Sequence, residues 1–178
     1  MAIRLKRYHT NYSLISIQRN GKIDENILYG FVFGYSKNLV LILKKYDFYL
    51  DGFKIIRMED IIKVETNETI KFQEKILKND GDINKIRVPC KIDMHDMYTV
   101  LSDLKDKCVI VNVQIEGPKI EQFLIGSLLD VNGETIKMRH FDGTGKWVKK
   151  VFELKIKDIT TIEFSTNYIN RYKKYIKL

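Results

Sequence analysis

Hydrophobic residues along this chain come in short alternating runs cut by turn residues, a pattern of half-buried strands. It predicts strands at Ser13–Gln18, Glu25–Tyr35, Leu39–Tyr46, Phe53–Met58 and Ile62–Glu65. A second set follows at Val109–Ile115, Glu121–Val131, Thr135–Phe141, Trp147–Ile156 and Thr161–Phe164. Asn20-Gly21, Asn132-Gly133 and Asp142-Gly143 supply turn signals between runs. Gly30 and Gly126 fall mid-strand, where glycine weakens a sheet and so marks a sharp bend or the close approach of another backbone.

Three stretches switch to helical spacing. Thr166–Ile176 sets Ile169, Tyr172, Tyr175 and Ile176 on one face, and Glu68–Lys78 does the same through Ile70, Phe72, Ile76 and Leu77. Met94–Leu104 carries Met97, Val100, Leu101 and Leu104, with Asp93 placed to cap it. Asn79-Asp80-Gly81-Asp82 is a polar linker. The expected division is a first unit at residues 1–80, a linker at 81–92 and a second unit at 93–178.

The two strand sets share a plan. A shift of 96 residues lays Tyr12–Lys44 on Cys108–His140 without a gap. It pairs Gln18 with Gln114, Gly21 with Gly117, Glu25 with Glu121, Leu28 with Leu124 and Gly30 with Gly126. Further on the shift becomes 98, and Asp60-Ile61 meets Asp158-Ile159. Shared glycines, period and order point to an internal duplication.

This plan resembles the Sm-like fold, a small five-stranded barrel with a helix packed on it. The residues that carry the likeness are Ile125-Gly126-Ser127-Leu128 and Asp158-Ile159, with Gly30-Phe31-Val32 and Asp60-Ile61 as counterparts. The second half also resembles uncharacterised proteins of low-GC bacteria through Phe141, Asp142, Gly145, Trp147, Asp158, Ile159 and Thr160. The resemblance implies a mainly β chain with a few helices, folded as two tandem five-stranded Sm-like small barrels, each with a flanking helix. It also implies self-association edge to edge through outer strands. Sm-like proteins that read uridine carry an Asp-x-x-Met-Asn type loop and an Arg-Gly pair. Here Ser36-Lys37-Asn38 and Asn132-Gly133-Glu134 stand at the first place, and Glu59-Asp60 and Lys157-Asp158 at the second. That RNA pocket does not transfer.

Charge adds one feature. The net charge is +8, and residues 136–178 hold eleven Lys/Arg against four Asp/Glu. A basic end of this kind suits RNA or single-stranded DNA. Lysine supplies 24 of the 31 basic residues, which is also an ordinary solvated surface. The most site-like run is His140–Trp147. Its Gly-Thr-Gly-Lys lacks the first glycine, the Ser/Thr and the following helix of a phosphate loop. It reads instead as a glycine-rich hairpin. The candidate nucleic-acid or partner surface is His140, Lys146, Trp147, Lys149, Lys150, Arg171 and Lys174, with Trp147 offered for stacking and the cations for phosphates.

No constellation points to catalysis, a cofactor or a metal. His9, His95 and His140 lie far apart, beside no clustered carboxylates. Asp60 and Asp158 read as turn caps, and Glu25 and Glu121 as solvent-facing. Two cysteines are too few for a disulfide framework or a zinc site, and Cys108 reads as a small buried hydrophobe. No apolar run reaches 18 residues and no secretory pattern opens the chain, so a cytoplasmic protein without a membrane span is expected. The expectation is a non-enzymatic binding or assembly module with a protein partner or a second copy. The alternative is nucleic-acid binding through the basic second unit.

Overall fold

Five consecutive apolar residues, Leu39 to Leu43, cannot all face one side of a sheet, so a strand built from them needs cover on both faces. All five are buried in the computed structural model, which describes residues 2–23, 26–81, 83, 86–108, 110–118 and 121–176. Helix α1 (Ala2–Thr10) opens the chain. The first five strands are β1 (Leu14–Arg19), β2 (Leu28–Tyr35), β3 (Leu39–Tyr46), β4 (Tyr49–Arg57) and β5 (Ile61–Glu65). Helices α2 (Glu68–Asn79) and α3 (Met97–Lys107) follow. The second set is β6 (Val111–Ile115), β7 (Gln122–Val131), β8 (Thr135–Phe141), β9 (Trp147–Lys155) and β10 (Thr161–Phe164), closed by α4 (Asn167–Tyr172). Of the strand and linker ranges read from sequence, Glu25, Asp82, Asn84, Lys85 and Val109 lie outside the described residues.

The chain is mainly β, 43% strand against 26% helix. The expected pair of closed five-stranded barrels is not what forms. All ten strands make one open antiparallel sheet in the order β5-β1-β2-β3-β4-β10-β6-β7-β8-β9. Closing the first half on itself would bring β4 to β5. Instead the outer edge of β4 is taken by β10, through Phe53–Phe164, Lys54–Glu163, Ile55–Ile162 and Ile56–Thr161. Within each half the strand order and register coincide. Ile15 lies opposite Gly30 as Val111 lies opposite Gly126, and Gly30 opposite Lys44 as Gly126 opposite His140. Each half breaks its ladder at matching points, Val32/Gly34 and Leu128/Asp130, then Leu43/Lys45 and Arg139/Phe141.

One core runs through both halves. Leu14, Phe31, Leu43, Phe53 and Ile55 share it with Val113, Met138, Ile162 and Phe164, under Leu77 of α2 and Val100, Leu101 and Leu104 of α3. On the opposite face of the first half, Leu5 of α1 covers Ile15, Ile17, Val40 and Ile42. On the opposite face of the second half, Ile169 of α4, with Ile176 just beyond it, covers Ile110, Ile125 and Phe141. This double cover explains the apolar run of β3.

The helices depart from expectation in detail. Helix α1 has no counterpart in the expected elements; its stretch is short and basic, and among the described hydrophobic side chains Leu5 and Tyr8 are the ones that pack on the sheet. Helix α3 starts three residues later than Met94. Asp96, not Asp93, caps it by accepting from the Thr99 backbone N–H. Helix α4 ends at Tyr172 rather than at Ile176.

Candidate functional site

The junction of β4 with β10 brings aromatic, aliphatic and ionic side chains together. Phe53 and Phe164 stack with ring centres 5.3 Å apart, and Ile55, Ile56 and Ile162 are fully buried beside them. Burying side chains of this size stabilises by about 1.5–3 kcal/mol each. Two buried ionic groups flank this apolar strip. In one, Arg19 at the end of β1 forms a fork on Glu116, with Nη1–Oε2 at 2.7 Å and Nη2–Oε1 at 2.6 Å. The hydroxyls of Thr160 and Thr161 also donate to Glu116, at 2.6 and 2.7 Å. Burial pushes the Glu116 carboxyl up, but Arg19, Thr160, the Lys54 charge and Thr161 together hold it below the ordinary glutamate value.

In the other group, Glu163 of β10 takes Lys44 at 3.0 Å and Lys54 at 3.5 Å, and Lys44 also reaches Asp51 at 3.4 Å. Burial pushes the Lys54 ammonium below its ordinary value, with Glu163 pulling the other way. Arg57 completes the junction. Its guanidinium donates to the Ile156 and Ile159 carbonyls, both at 2.8 Å, and so grips the short turn before β10.

The sheet ends in β5 on one side and β9 on the other. These strands are the counterparts of the two that meet at the junction. With the shift of 98 residues, β9 corresponds to β4 and β10 to β5. The registers agree: Ser16 pairs with Glu65 as Asn112 pairs with Glu163, and Gln18 with Lys63 as Gln114 with Thr161. Both edges present apolar groups to solvent, Ile62 at 59% exposure on β5 and Val151 at 47% on β9. Lys155 of β9 occupies the place of Arg57, and the turn Met58–Asp60 before β5 that of the turn Arg57 grips.

Most residues chosen from sequence gather at the far end of the second half. Phe141, Trp147 and Tyr172 pack together, with Phe141 5.6 Å from Trp147 and 5.2 Å from Tyr172. Tyr172 of α4 donates to the Gly143 carbonyl at 2.8 Å, which ties α4 to the hairpin that holds Lys146. Lys146, Lys149, Lys150, Arg171 and Lys174 are exposed. Trp147 is half-buried, with Arg139 4.8 Å over its ring. His140 is turned toward the sheet, its Nδ1 2.9 Å from the Ile125 carbonyl and its ring stacked on Phe141. Asp60 is not the satisfied cap expected. Among the described residues its buried Oδ2 has no hydrogen-bond partner, and burial, then Glu59, raise its carboxyl above the ordinary aspartate value.

Sequence reading missed a second aromatic surface, at the β3–β4 hairpin. Tyr46, Phe48 and Tyr49 are exposed there around Asp47, whose φ of +52° is a left-handed turn that aspartate tolerates. Lys45 lies over the rings of Tyr29 and Phe48. The signal was present as Tyr-Asp-Phe-Tyr at a strand junction.

Among the described residues no group of three or more His, Cys, Asp or Glu could hold a metal ion, and no helix is long and apolar enough to cross a membrane. Compared with protein-family models, curated proteins and solved structures, the chain matches none.

Proposed function

We propose that this protein is a non-enzymatic assembly module that joins copies of itself by continuing its sheet, β9 of one copy against β5 of the next. The observation that carries this reading is the β4–β10 junction, a pairing of the corresponding strands inside one chain. The repeated registers support a duplication behind it, and the Sm-like resemblance supports edge pairing as the mode. The contact is heterologous, since different edges meet, and it extends into a ring or a filament. By the internal register, Val151 lies opposite Thr66, Phe152 opposite Glu65, Glu153 opposite Val64 and Leu154 opposite Lys63.

The test is solution mass by light scattering across a wide concentration range. Wild type is expected to exceed the 21.0 kDa of one chain as concentration rises. Val151→Lys blocks one edge and Ile62→Lys the other, because lysine on an edge strand opposes pairing. Each variant alone is expected to stay monomeric with an unchanged circular dichroism spectrum. Their mixture is expected to give dimers and nothing larger. A wild-type mass fixed at one chain overturns the reading.

A second reading, binding of RNA or single-stranded DNA, is favoured by one observation. The β8–β9 hairpin exposes Lys137, Arg139, Lys149, Lys150 and Lys155, with Glu153 as the exposed acid among them. Fluorescence anisotropy with mixed single-stranded RNA and DNA tests it. Binding that weakens steeply with salt and disappears in Lys149→Glu/Lys150→Glu supports it. No binding at low salt removes it.

A further inference from the structure

We propose that Cys90 and Cys108 form a reversible dithiol–disulfide pair which, when oxidised, pins the segment connecting the two halves to the end of α3. The chain has two cysteines, and the fold brings both sulfurs to 3.9 Å. Both are free thiols and both are half-buried, where a purely space-filling cysteine would be enclosed.

The approach is built on both sides. Cys108 leaves the last turn of α3, its backbone N–H donating to Leu104 at 2.7 Å. The segment beyond Cys90 is tied along the same helix by two side chains one turn apart. Lys107 Nζ donates to the Lys91 carbonyl at 2.8 Å, and Asp103 accepts the Asp93 backbone N–H at 2.7 Å. Lys107 and Asp103 also bind each other. Val88, Ile92 and Met94 add apolar anchors on the shared core. A disulfide needs its sulfurs about 2.05 Å apart. Oxidation draws the two sulfurs together from 3.9 Å, at the place where these anchors already hold the segment to the helix.

The co-reactant is a low-molecular-weight disulfide. Cys90, as thiolate, attacks one of its sulfurs, forming a mixed disulfide and releasing the first small thiol. Cys108 then gives up its proton and attacks the Cys90 sulfur, releasing the second small thiol. Two protein thiols are oxidised; the small disulfide takes two electrons and two protons and leaves as two thiols. Burial and the neighbouring Cys90 push the Cys108 thiol up to about 12, against the pull of Lys173 and Lys107. Each attack needs a thiolate, so closure speeds up as pH rises.

The experiment incubates the folded protein with glutathione disulfide, quenches in acid and measures intact mass and alkylatable thiols. The expected product has lost two hydrogens, carries no glutathione, has no alkylatable thiol and is restored by dithiothreitol. Limited proteolysis between α2 and α3 is expected to be slower in that product. Cys108→Ser, a close isostere, is expected to stop at a stable glutathione adduct on Cys90. Both thiols remaining alkylatable, two glutathione adducts per chain, or a disulfide-linked dimer would each overturn the proposal.

Discussion

Glu116→Ala is expected to cost about 3–5 kcal/mol of folding stability, the range for removing one partner of a buried ion pair. Arg19 has no exposed side-chain surface, and its guanidinium keeps its charge at any working pH. Without Glu116 that charge stays buried beside the Thr161 oxygen at 3.0 Å and loses the two-point carboxylate contact. Total stability for a domain of this size is about 5–15 kcal/mol, so the loss is a large share. Urea unfolding reads it as a lower midpoint at constant slope. A loss below about 1 kcal/mol would mean that the pair is solvated and does not hold the halves together. Arg19→Met/Glu116→Leu separates charge from packing. It removes the buried cation as well as its carboxylate partner, and is expected to recover most of the loss. The pair also sets a pH dependence. Because the folded Glu116 carboxyl lies below its ordinary value, its contribution is present above the unfolded carboxylate range. It is lost as pH falls through the lower folded value. Glu116→Gln is expected to lack that part of the acid sensitivity.

The pairs that hold the junction explain which part of the fold could be read from the chain alone. Strand positions come from local alternation and turn residues, so β3, β8 and β10 have the ends expected. Register within each half comes from the shared glycines. The outer partner of β4 has no such local cue. A five-strand unit written in sequence looks the same whether its fourth strand closes on its own fifth or accepts the fifth of a neighbour. The choice rests on Lys54 with Glu163 and Arg19 with Glu116, pairs about a hundred residues apart with no local signature. The start of α3 shows the same limit at short range. Asp93 and Asp96 are both fit caps, and the deciding contact is Asp103, which engages the backbone of Asp93. At the second-half hairpin, sequence found Trp147 and the lysines around it. It could not show that Phe141 and Tyr172 would share the aromatic surface of Trp147. The Cys90–Cys108 approach was invisible for a related reason, because each cysteine seen alone is an ordinary small residue.

Gly126→Ala is the substitution expected to damage the second half most. Gly126 faces β8 in the register Gly126–His140, and a Cβ built there overlaps the Arg139 carbonyl oxygen and crowds the His140 backbone. The obstacle is backbone on a paired strand, so no side-chain rotation relieves it. The ladder itself must open next to the break at Arg139/Phe141. Overpacking usually costs about 1–3 kcal/mol, and a backbone obstacle places this variant at or above the top of that range. Gly30→Ala meets the same kind of obstacle at the Leu43 carbonyl oxygen, though less closely than Gly126 meets Arg139, and also the Cγ2 methyl of buried Ile42. Gly133→Ala and Gly143→Ala are the controls. Neither glycine has a neighbour within 4 Å of the added methyl or a positive φ, so both are expected within about 0.5 kcal/mol of wild type. Thermal and urea unfolding of the four variants measure the order. If Gly126→Ala matched the controls, β7 and β8 would not approach this closely. The matching role of the two mid-strand glycines, and with it the repeated register that supports sheet continuation, would lose its physical basis.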